Sequence, residues 1–548
     1  MTLKIALAQL NFTVGHIKQN AAKIIKAAEE AKQLGADLVV FPELCVTGYP
    51  PEDLLFRSDF IQQAELAVQE IAASVDSIAI VIGYPQRQNA QLYNTAGVFL
   101  GGRLLAEYHK TSLPNYGVFD EQRYFAAGHN PVVFQFNNTR LGLTICEDIW
   151  QSGVIEKNRQ AGAEIILTMN ASPYHAGKIN QREEIIAPQL KQAKVPLVYV
   201  NQVGGQDELV FDGASFVADS QGQVVFRAPE FVEHLAVVEF SAQQPIPQRV
   251  IPHYPAVASE YKALVLGIRD YVQKNGFQGA ILGLSGGIDS ALVLALAVDA
   301  LGADKVEAVL MPSCYTQAMS NEDARLEAEA LGVKYHTIPI EPAVLAFSDM
   351  LAPVFAGSQK DTTEENIQAR CRGVLLMALS NKQGKLLLTT GNKSEMSVGY
   401  ATLYGDMAGG FAPIKDVYKL LVYQLAAYRN SLTPVIPERV LLRAPSAELA
   451  PDQKDEDSLP AYAVLDPILQ LYIEEDLSAA DIQGLGYRWE DIQRAISLVD
   501  RNEYKRRQSP PGIRITPRAF GRDRRYPISS GYRGIASSLI LSQPAKQE

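Results

Sequence analysis

The sequence predicts an α/β protein of two domains. The front half reads as a mixed α/β layer domain rich in sheet, and the back half as a doubly wound parallel sheet. Three observations predict this. The chain has 548 residues, beyond the ~100–200 of a single domain. Short apolar runs alternate with helix-period stretches up to about residue 240, and the alternation restarts after 260. Between them, SAQQPIPQRVIPHYPA (241–256) carries four prolines and no period, which is linker composition. The expected organisation is a domain over 1–240, a linker over 241–258 and a domain over 259–548.

The elements follow in order. Lys4–Gln9 reads as a strand, and Asn20–Leu34 as a helix stopped by Gly35. Asp37–Phe41 and Ser77–Gly83 are strands, and Tyr93–His109 is a hairpin turning at Gly101-Gly102. Leu141–Ile145, Glu164–Met169 and Leu197–Asn201 are short apolar strands, and Gly213–Phe226 is a hairpin turning near Ser220–Gly222. In the back half, the strand Ala280–Leu284 runs into SGGIDS and an apolar helix from Ala291. Lys305–Met311 and Lys385–Thr389 are further strands of a parallel, doubly wound pattern. Ala450–Pro460, polar, acidic and proline-flanked, reads as a mobile loop.

Composition excludes several classes. Fifty Lys+Arg stand against 61 Asp+Glu, a net charge of −11, which argues against general affinity for nucleic acid or an anionic membrane. The four cysteines, Cys45, Cys146, Cys314 and Cys371, form no CxxC pair. Neither a zinc ribbon nor a disulfide framework is expected, and the reading is a reducing, cytoplasmic compartment. The N-terminal apolar run, broken by Gln9 and Asn11, reads as a buried strand rather than a signal peptide. The apolar stretch Ala291–Leu301 contains Asp299 and is too short to span a bilayer.

Three polar residues end three strand-like runs: Glu43 after DLVVFP, Lys110 after GRLLAEYH and Cys146 after LGLTI. Residues past the carboxyl ends of neighbouring strands converge on one rim of a sheet, where α/β sites form. Opening an amide needs a thiolate, a base to make it and a donor for the oxyanion. Cys146, Glu43 and Lys110 are those groups, with the backbone N–H of Glu147 as a second oxyanion donor. Burial beside Lys110 is expected to help set the ionisation of the other two. Read singly, Cys146 is as well explained as an inert core thiol, and Glu43 and Lys110 as solvated charges.

The surrounding words, VFPELCVTGYPPEDLL, YHKTSLPNYGVFDEQRYF and GLTICEDIW, resemble the carbon–nitrogen hydrolase (nitrilase) superfamily over about the first 240 residues. The resemblance implies an αββα sandwich with Glu43 as general base, Lys110 as oxyanion and positioning residue, and Cys146 as nucleophile. It gives Glu121 a supporting role near Lys110, and Asp148 reads as ordering the corner. In the glutaminase branch Tyr116, Ser172 and Lys178 match positions that hold glutamine. A hydroxyl and an ammonium suit an amino-acid carboxylate, although a loop serine and a surface lysine account for the last two equally well.

Gly283, Leu284, Ser285, Gly286, Gly287, Ile288, Asp289 and Ser290 spell GLSGGIDS between a strand and a helix. Glycines let a backbone approach phosphate, the serines add hydroxyls, and a helix N-terminus offers N–H groups. No lysine follows, so this is not the GxxxxGK[ST] loop. A carboxylate such as Asp289 beside phosphates is costly unless a cation bridges them, which predicts Mg²⁺. The loop resembles that of the ATP-pyrophosphatases, which cleave ATP to AMP and pyrophosphate. ENIQARCR (365–372), residues 386–419 and APSAELAPDQKDEDSLPAY (444–462) resemble the NAD synthetase family. With the nitrilase-type front half, the whole chain resembles its glutamine-dependent branch.

That resemblance implies a carbon–nitrogen ligase that amidates deamido-NAD to NAD. It would use ATP and glutamine-derived ammonia through an adenylated intermediate. It places Thr390, Lys419 and Ser446 near ATP beside the glycine loop, and Asp289 and Glu395 on Mg²⁺. Asn366, Arg370, Glu395 and Lys505 fall to deamido-NAD. The run RNEYKRRQ around Lys505 is basic in an acidic protein, which suits a dinucleotide and equally a solvated helix end. Ammonia-dependent relatives often carry a lysine before a YGD triplet; here Leu403 precedes Tyr404. The expected partners are small-molecule substrates and further copies of the chain, since relatives assemble through the synthetase domain into dimers or larger. The competing readings are another ATP-pyrophosphatase amidotransferase, such as an asparagine or GMP synthetase, and a non-catalytic nucleotide-sensing protein. Glutaminases of the former use an N-terminal Cys or a Cys-His-Glu triad. Residue 2 here is Thr, and the seven histidines form no such word. Against the latter, Glu43, Lys110, Cys146, Asp289 and Glu395 are all present.

Overall fold

The structure is a computed structural model. It describes residues 2–446, 448–450, 453, 455–457, 459–532 and 534. The chain divides into two compact units, Met1–Ala256 and Val257–Glu548.

In the first unit the strands are β1 (Thr2–Gln9), β2 (Leu38–Val40), β3 (Ala79–Gln88), β4 (Gln91–Leu100), β5 (Arg103–His109), β6 (Val133–Phe136) and β7 (Thr139–Ile145). They continue as β8 (Ile165–Asn170), β9 (Leu197–Asn201), β10 (Val203–Gln206), β11 (Leu209–Asp212), β12 (Phe216–Ala218), β13 (Val224–Arg227), β14 (His234–Ser241) and β15 (Gln244–Pro245). One sheet runs β15-β14-β1-β2-β3-β4-β5 and a second β13-β12-β9-β8-β7-β6, with β10-β11 a separate hairpin. β1, β2 and β3 are mutually parallel, as are β7, β8 and β9.

Side-chain alternation stacks these sheets. Ile5, Leu7, Leu38 and Val40 from the first sheet share one core with Leu143, Ile145, Leu167 and Val200 from the second. Their neighbours Ala6, Ala8 and Val39 point the other way, onto Ile24, Ala28, Ala64 and Ile71 of the helices Ile17–Gln33 and Ser58–Ser74. On the far side Ile166, Leu197 and Tyr199 pack on Ile155, Ile186 and Leu190 of the helices Val154–Gln160 and Lys178–Ala193. The period of two gives each sheet two buried faces, and the result is an αββα sandwich.

Parts of the stretch expected as a linker, 241–258, bond to this unit. β15 pairs antiparallel with β14, and the Arg227 guanidinium donates to the Ile251 carbonyl at 2.8 Å. The imidazole of His253 lies 3.1 Å from Glu230 and 3.2 Å from Glu183. Its prolines suit an edge, where a missing N–H costs no ladder bond.

The second unit carries a parallel sheet of β16 (Ala280–Gly283), β17 (Val306–Leu310), β18 (Lys334–Thr337) and β19 (Leu386–Leu388) in the order β18-β17-β16-β19. The helix Ile288–Leu301 is buried along most of its length. Leu375, Leu376 and Leu379 of the helix Thr362–Gln383 pack on Ile281, Val309 and Leu387. Further on, the helices Tyr462–Ile473 and Trp489–Arg501 close a core of their own around Leu465, Leu469, Ile492 and Ile496. β16 lies between its successor β17 and the last strand β19, so the strand order reverses there. A crevice outside the carboxyl ends at such a switch point is where open α/β sheets bind ligands. Of the loop expected at 450–460, residues 451, 452, 454 and 458 lie outside the described residues.

Candidate active sites

In the first unit Glu43 lies just past β2, Lys110 just past β5 and Cys146 just past β7. The turn carrying Glu43 lies against β3 at Gly83, where a Cβ would fall 2.4 Å from the Leu44 nitrogen. Only glycine permits that approach. Lys110 Nζ donates to Glu43 Oε1 at 2.7 Å and to Glu121 Oε1 at 2.8 Å, and all three side chains are buried. Glu43 Oε1 also accepts from Asn94 Nδ2 at 2.8 Å, and Oε2 accepts from the Ala171 N–H at 3.2 Å. Tyr49 donates to Glu121 at 3.0 Å.

Cys146 is buried and takes a left-handed backbone conformation, φ 45°, a strained corner of the kind that presents a nucleophile. Asp148 fixes this corner. It accepts from the Ile145 N–H at 2.9 Å, from Tyr108 at 2.7 Å, and from the N–H and hydroxyl of Thr111 and the N–H of Ser112.

The electrostatics join these groups. Burial first, then the Glu43 charge, hold the Cys146 thiol well above its ordinary range, and Lys110 offsets only part of this. Burial would lower Lys110, but Glu121 and Glu43 override it and keep the ammonium charged. Burial lifts Glu121 to about 7, against the pull of Lys110. The resting thiol is therefore protonated, and a base must remove its proton before it attacks. An ammonium has three N–H donors, and here they face two carboxylates, with both Glu121 oxygens 2.8 Å from Nζ.

Of the other residues expected here, Tyr116 is largely exposed and donates to Glu147 at 3.0 Å. Ser172 is buried, its N–H donating to Asn201 at 3.0 Å. Lys178 Nζ stands 3.8 Å from the centre of the Trp150 ring. The sequence reading missed Arg182, whose Nε donates to Ser172 Oγ at 3.2 Å while Nη1 pairs with Asp212 at 2.7 Å. Since Ser172 Oγ accepts there, its own O–H is left to donate elsewhere. Asn94 was missed too, although an Asn inside an apolar strand is a visible signal. Arg182, in the charged run QREE, gives none.

In the second unit one cavity lies at the switch point. Every residue of Gly283–Ser290 except Gly286 lines it, together with Thr390, Glu395, Lys419 and Ser446. Gly286, at φ +78°, faces away, and a Cβ there would sit 2.2 Å from the Ser320 carbonyl oxygen. Ser285 and Ser290 hydroxyls meet at 3.0 Å and Ser285 Oγ accepts from the Gly287 N–H at 3.2 Å, so the loop is internally braced. Arg443 adds a donor to the Gly286 carbonyl at 2.8 Å.

Lys419 Nζ lies between the two carboxylates expected on a metal, 2.5 Å from Asp289 Oδ2 and 3.2 Å from Glu395 Oε1. Asn392 joins them, donating to Asp289 at 2.9 Å and accepting from the Glu395 N–H at 2.9 Å. Asp455 also lines the cavity. Burial, opposed by Lys419 and reinforced by Asp289 and Asp455, lifts Glu395 to about 8. Three carboxylates thus surround one ammonium. Among the described residues no group of three His, Cys, Asp or Glu side chains is arranged to hold a metal by itself.

Asn366, Arg370 and Lys505 do not line this cavity. They converge instead on one turn: Asn366 accepts from Thr402 at 2.8 Å, Arg370 donates to the Leu403 carbonyl at 3.2 Å, and Lys505 donates to the carbonyls of Gly399 and Ala401 at 2.7 and 2.8 Å. Asp406, on the same turn, accepts from the Thr402 N–H at 2.8 Å. Burial raises its carboxyl to about 6.

Comparison with known proteins fits both halves. The carbon-nitrogen hydrolase family matches residues 4–246 and the NAD synthase family residues 260–509. The glutamine-dependent NAD(+) synthetase of Acinetobacter baylyi is 52% identical over 97% of this chain and 99% of its own. The structure of the glutamine-dependent NAD+ synthetase from Acinetobacter baumannii in complex with adenosine diphosphate is 49% identical, covers 97% of this chain and 99% of its own, and superposes with a TM-score of 0.80. That from Cytophaga hutchinsonii, at 24% identity, shares the fold at a TM-score of 0.86 over 99% of this chain. By sequence along nearly its whole length, the chain belongs to the glutamine-dependent NAD(+) synthetase family.

Proposed function

We propose that the chain amidates deamido-NAD to NAD, consuming ATP and glutamine and releasing AMP, pyrophosphate and glutamate. The amidase falls to 1–240 and the ligase to 259–548. The observation that carries this reading is the presence, on one chain, of the buried Glu43–Lys110–Cys146 cluster and of the glycine loop at a switch-point crevice.

In the first unit Cys146 Sγ attacks the carboxamide carbon of glutamine. Glu43 takes the thiol proton and returns it to the departing ammonia. The Lys110 ammonium and the Glu147 N–H hold the oxyanion. Water then opens the thioester to glutamate. Glu121 keeps Lys110 in place, Ser172 and Lys178 take the carboxylate of the amino acid, and Tyr116 lines the slot for its side chain, with Arg182 bracing Ser172.

In the second unit the nicotinate carboxylate of deamido-NAD attacks the α-phosphorus of ATP, pyrophosphate leaves, and ammonia displaces AMP from the adenylate. Gly283–Ser290 cradles the phosphates, with Thr390, Lys419 and Ser446 beside them. Asn366, Arg370 and Lys505 shape the turn that receives deamido-NAD. The donor set fits Mg²⁺: hard carboxylate oxygens of Asp289 and Glu395, with Asp455 close by in the same cavity. Asp289 and Glu395 would hold the ion, which would neutralise the triphosphate.

A homo-oligomer and a cytoplasmic setting belong to the same reading. The helix Glu341–Leu351 buries none of its residues, and Leu345, Phe347, Met350 and Val374 are exposed, an apolar face suited to a second copy. Cys45, Cys146, Cys314 and Cys371 are all unpaired thiols.

Cys146→Ala tests the division of labour. It should abolish glutamine-dependent NAD formation and leave formation from added ammonium salts, with pyrophosphate released one for one with NAD. Loss of ammonium-driven synthesis as well would overturn it.

A further inference from the structure

The amidase cluster holds a buried amide that the mechanism above leaves unused. Asn94, in β4, is 1% exposed. It touches two of the three reacting groups. Its Nδ2 donates to Glu43 Oε1, and its backbone carbonyl accepts the Lys110 N–H at 2.9 Å. Its own Oδ1 meets no donor at all. Buried polar atoms are nearly always paired, and leaving one unpaired is destabilising. An asparagine kept for strand packing would satisfy both ends of its amide, or be replaced by a carbon side chain of the same shape. Here one end is sacrificed, and the other is aimed at the carboxylate.

The two oxygens of Glu43 are consequently unequal. Oε1 accepts two short bonds, 2.8 Å from Asn94 and 2.7 Å from Lys110. Oε2 accepts one, longer, from the Ala171 N–H at 3.2 Å. A carboxylate oxygen whose lone pairs are occupied is a poor proton acceptor, and its neighbour becomes the base. We propose that Asn94 is a positioning residue of the amidase: by occupying Glu43 Oε1 it fixes the carboxylate and leaves Oε2 as the atom that takes the Cys146 proton. The inference rests on the amidase reading of Glu43, Lys110 and Cys146.

The test uses the full chain with Asn94→Leu, which keeps the volume and removes both the donor and the orphaned oxygen. A packing role predicts unchanged glutamine hydrolysis in the folded variant. A positioning role predicts a kcat for glutamine hydrolysis about 10- to 100-fold lower, as for loss of a bond to a charged group, and a KM within about twofold. The acidic limb of the rate–pH profile should move upward, because a carboxylate that has lost a donor takes up its proton more readily. The titratable groups around Glu43, namely Lys110, Glu121, Cys146 and Tyr49, are unchanged in the variant. Ammonium-driven NAD formation should be retained. If Asn94→Leu does not accumulate, Asn94→Ala, smaller and uncharged with no donor, carries the same expectation for kcat and the acidic limb. A wild-type kcat and an unmoved acidic limb in the folded variant overturn the proposal. A wild-type chain that does not hydrolyse glutamine overturns the amidase reading instead.

Discussion

Replacing Lys110 by methionine is the sharpest test of how the amidase cluster is held. The two side chains are alike in length, so packing changes little, while two buried carboxylates lose their shared cation. The Nζ contacts are 2.7 Å to Glu43 and 2.8 Å to Glu121, with Lys110 fully buried. Removing one partner of a buried ion pair costs about 3–5 kcal/mol, because the other charge stays behind. Two features pull this case to the low end. Glu121 already sits at about 7 through burial and takes a proton near neutral pH once Lys110 is gone. Glu43 keeps its donors from Asn94 and Ala171. We expect about 3 kcal/mol, which at ~2–4 °C per kcal/mol for a domain of this size lowers the unfolding transition of the first unit by roughly 6–12 °C in scanning calorimetry. The triple variant Lys110→Met, Glu43→Gln, Glu121→Gln should recover most of that, since a neutral replacement of a whole ion cluster is often tolerated, and neither variant should release glutamate. A Lys110→Met transition at the wild-type temperature, or a triple variant less stable than the single one, refutes the account.

Gly286→Ala should lower kcat/KM for ATP by about 100-fold in ammonium-driven synthesis. A Cβ 2.2 Å from the Ser320 carbonyl at φ +78° forces the loop to move by about an ångström, a displacement that costs about that much in a positioned site; a wild-type value for ATP would show that the loop's placement is irrelevant. His253→Leu tests the attachment of the proline-rich stretch. Burial pulls the imidazole down, but Glu183 and Glu230 more than offset it and lift it to about 9 from 6.5, so the protonated form is favoured in the folded state. Its stabilisation is present in full below pH ~6.5 and is lost as pH rises through about 9. The melting temperature of the wild type should therefore exceed that of the variant most at pH 6 and converge with it above pH 9; a gap independent of pH excludes the ion pairs as its source.

The legible parts of the fold are those fixed by local pattern. β1, β2, β3, β7, β8 and β9 were marked by buried apolar runs ending in turn residues, because strands covered on both faces have few polar positions to blur them, and the β4–β5 hairpin by its Gly101-Gly102 turn. β18 escaped: KYHT is an edge strand with no fully buried residue, and its pairing with β17 is decided by neighbours, not by its own composition. The prolines of 241–256 were read as a spacer, since nothing in composition announces that Arg227, Glu183 and Glu230 reach it from elsewhere in the chain. At the amidase site, Glu43, Lys110 and Cys146 were visible because strand ends expose chemistry-bearing residues in a fixed order. Arg182 and Asp212 were not, because their partnership spans 30 positions and exists only once the helix Lys178–Ala193 meets the end of β11. The family resemblance singled out Asn366, Arg370 and Lys505, and each bonds to the 399–406 turn, a convergence that no residue pattern in the sequence announces.

The two sites answer the problem of buried charge in different ways, and the difference follows from their chemistry. The amidase carries a lysine between two glutamates and a thiol held protonated. On the proposed amidase reading its substrate end is a neutral carboxamide, so charge need only be rearranged internally, a proton passing from sulfur to Glu43 and on to nitrogen. The ligase crevice gathers Asp289, Glu395 and Asp455 near Lys419, with Arg372 and Arg443 also in its lining, so charges of both signs face the space where a polyanionic substrate would bind. Burial, opposed by Lys419 and reinforced by Asp289 and Asp455, lifts Glu395 to about 8 there, so the ionisation of that carboxyl turns on the charges brought beside it.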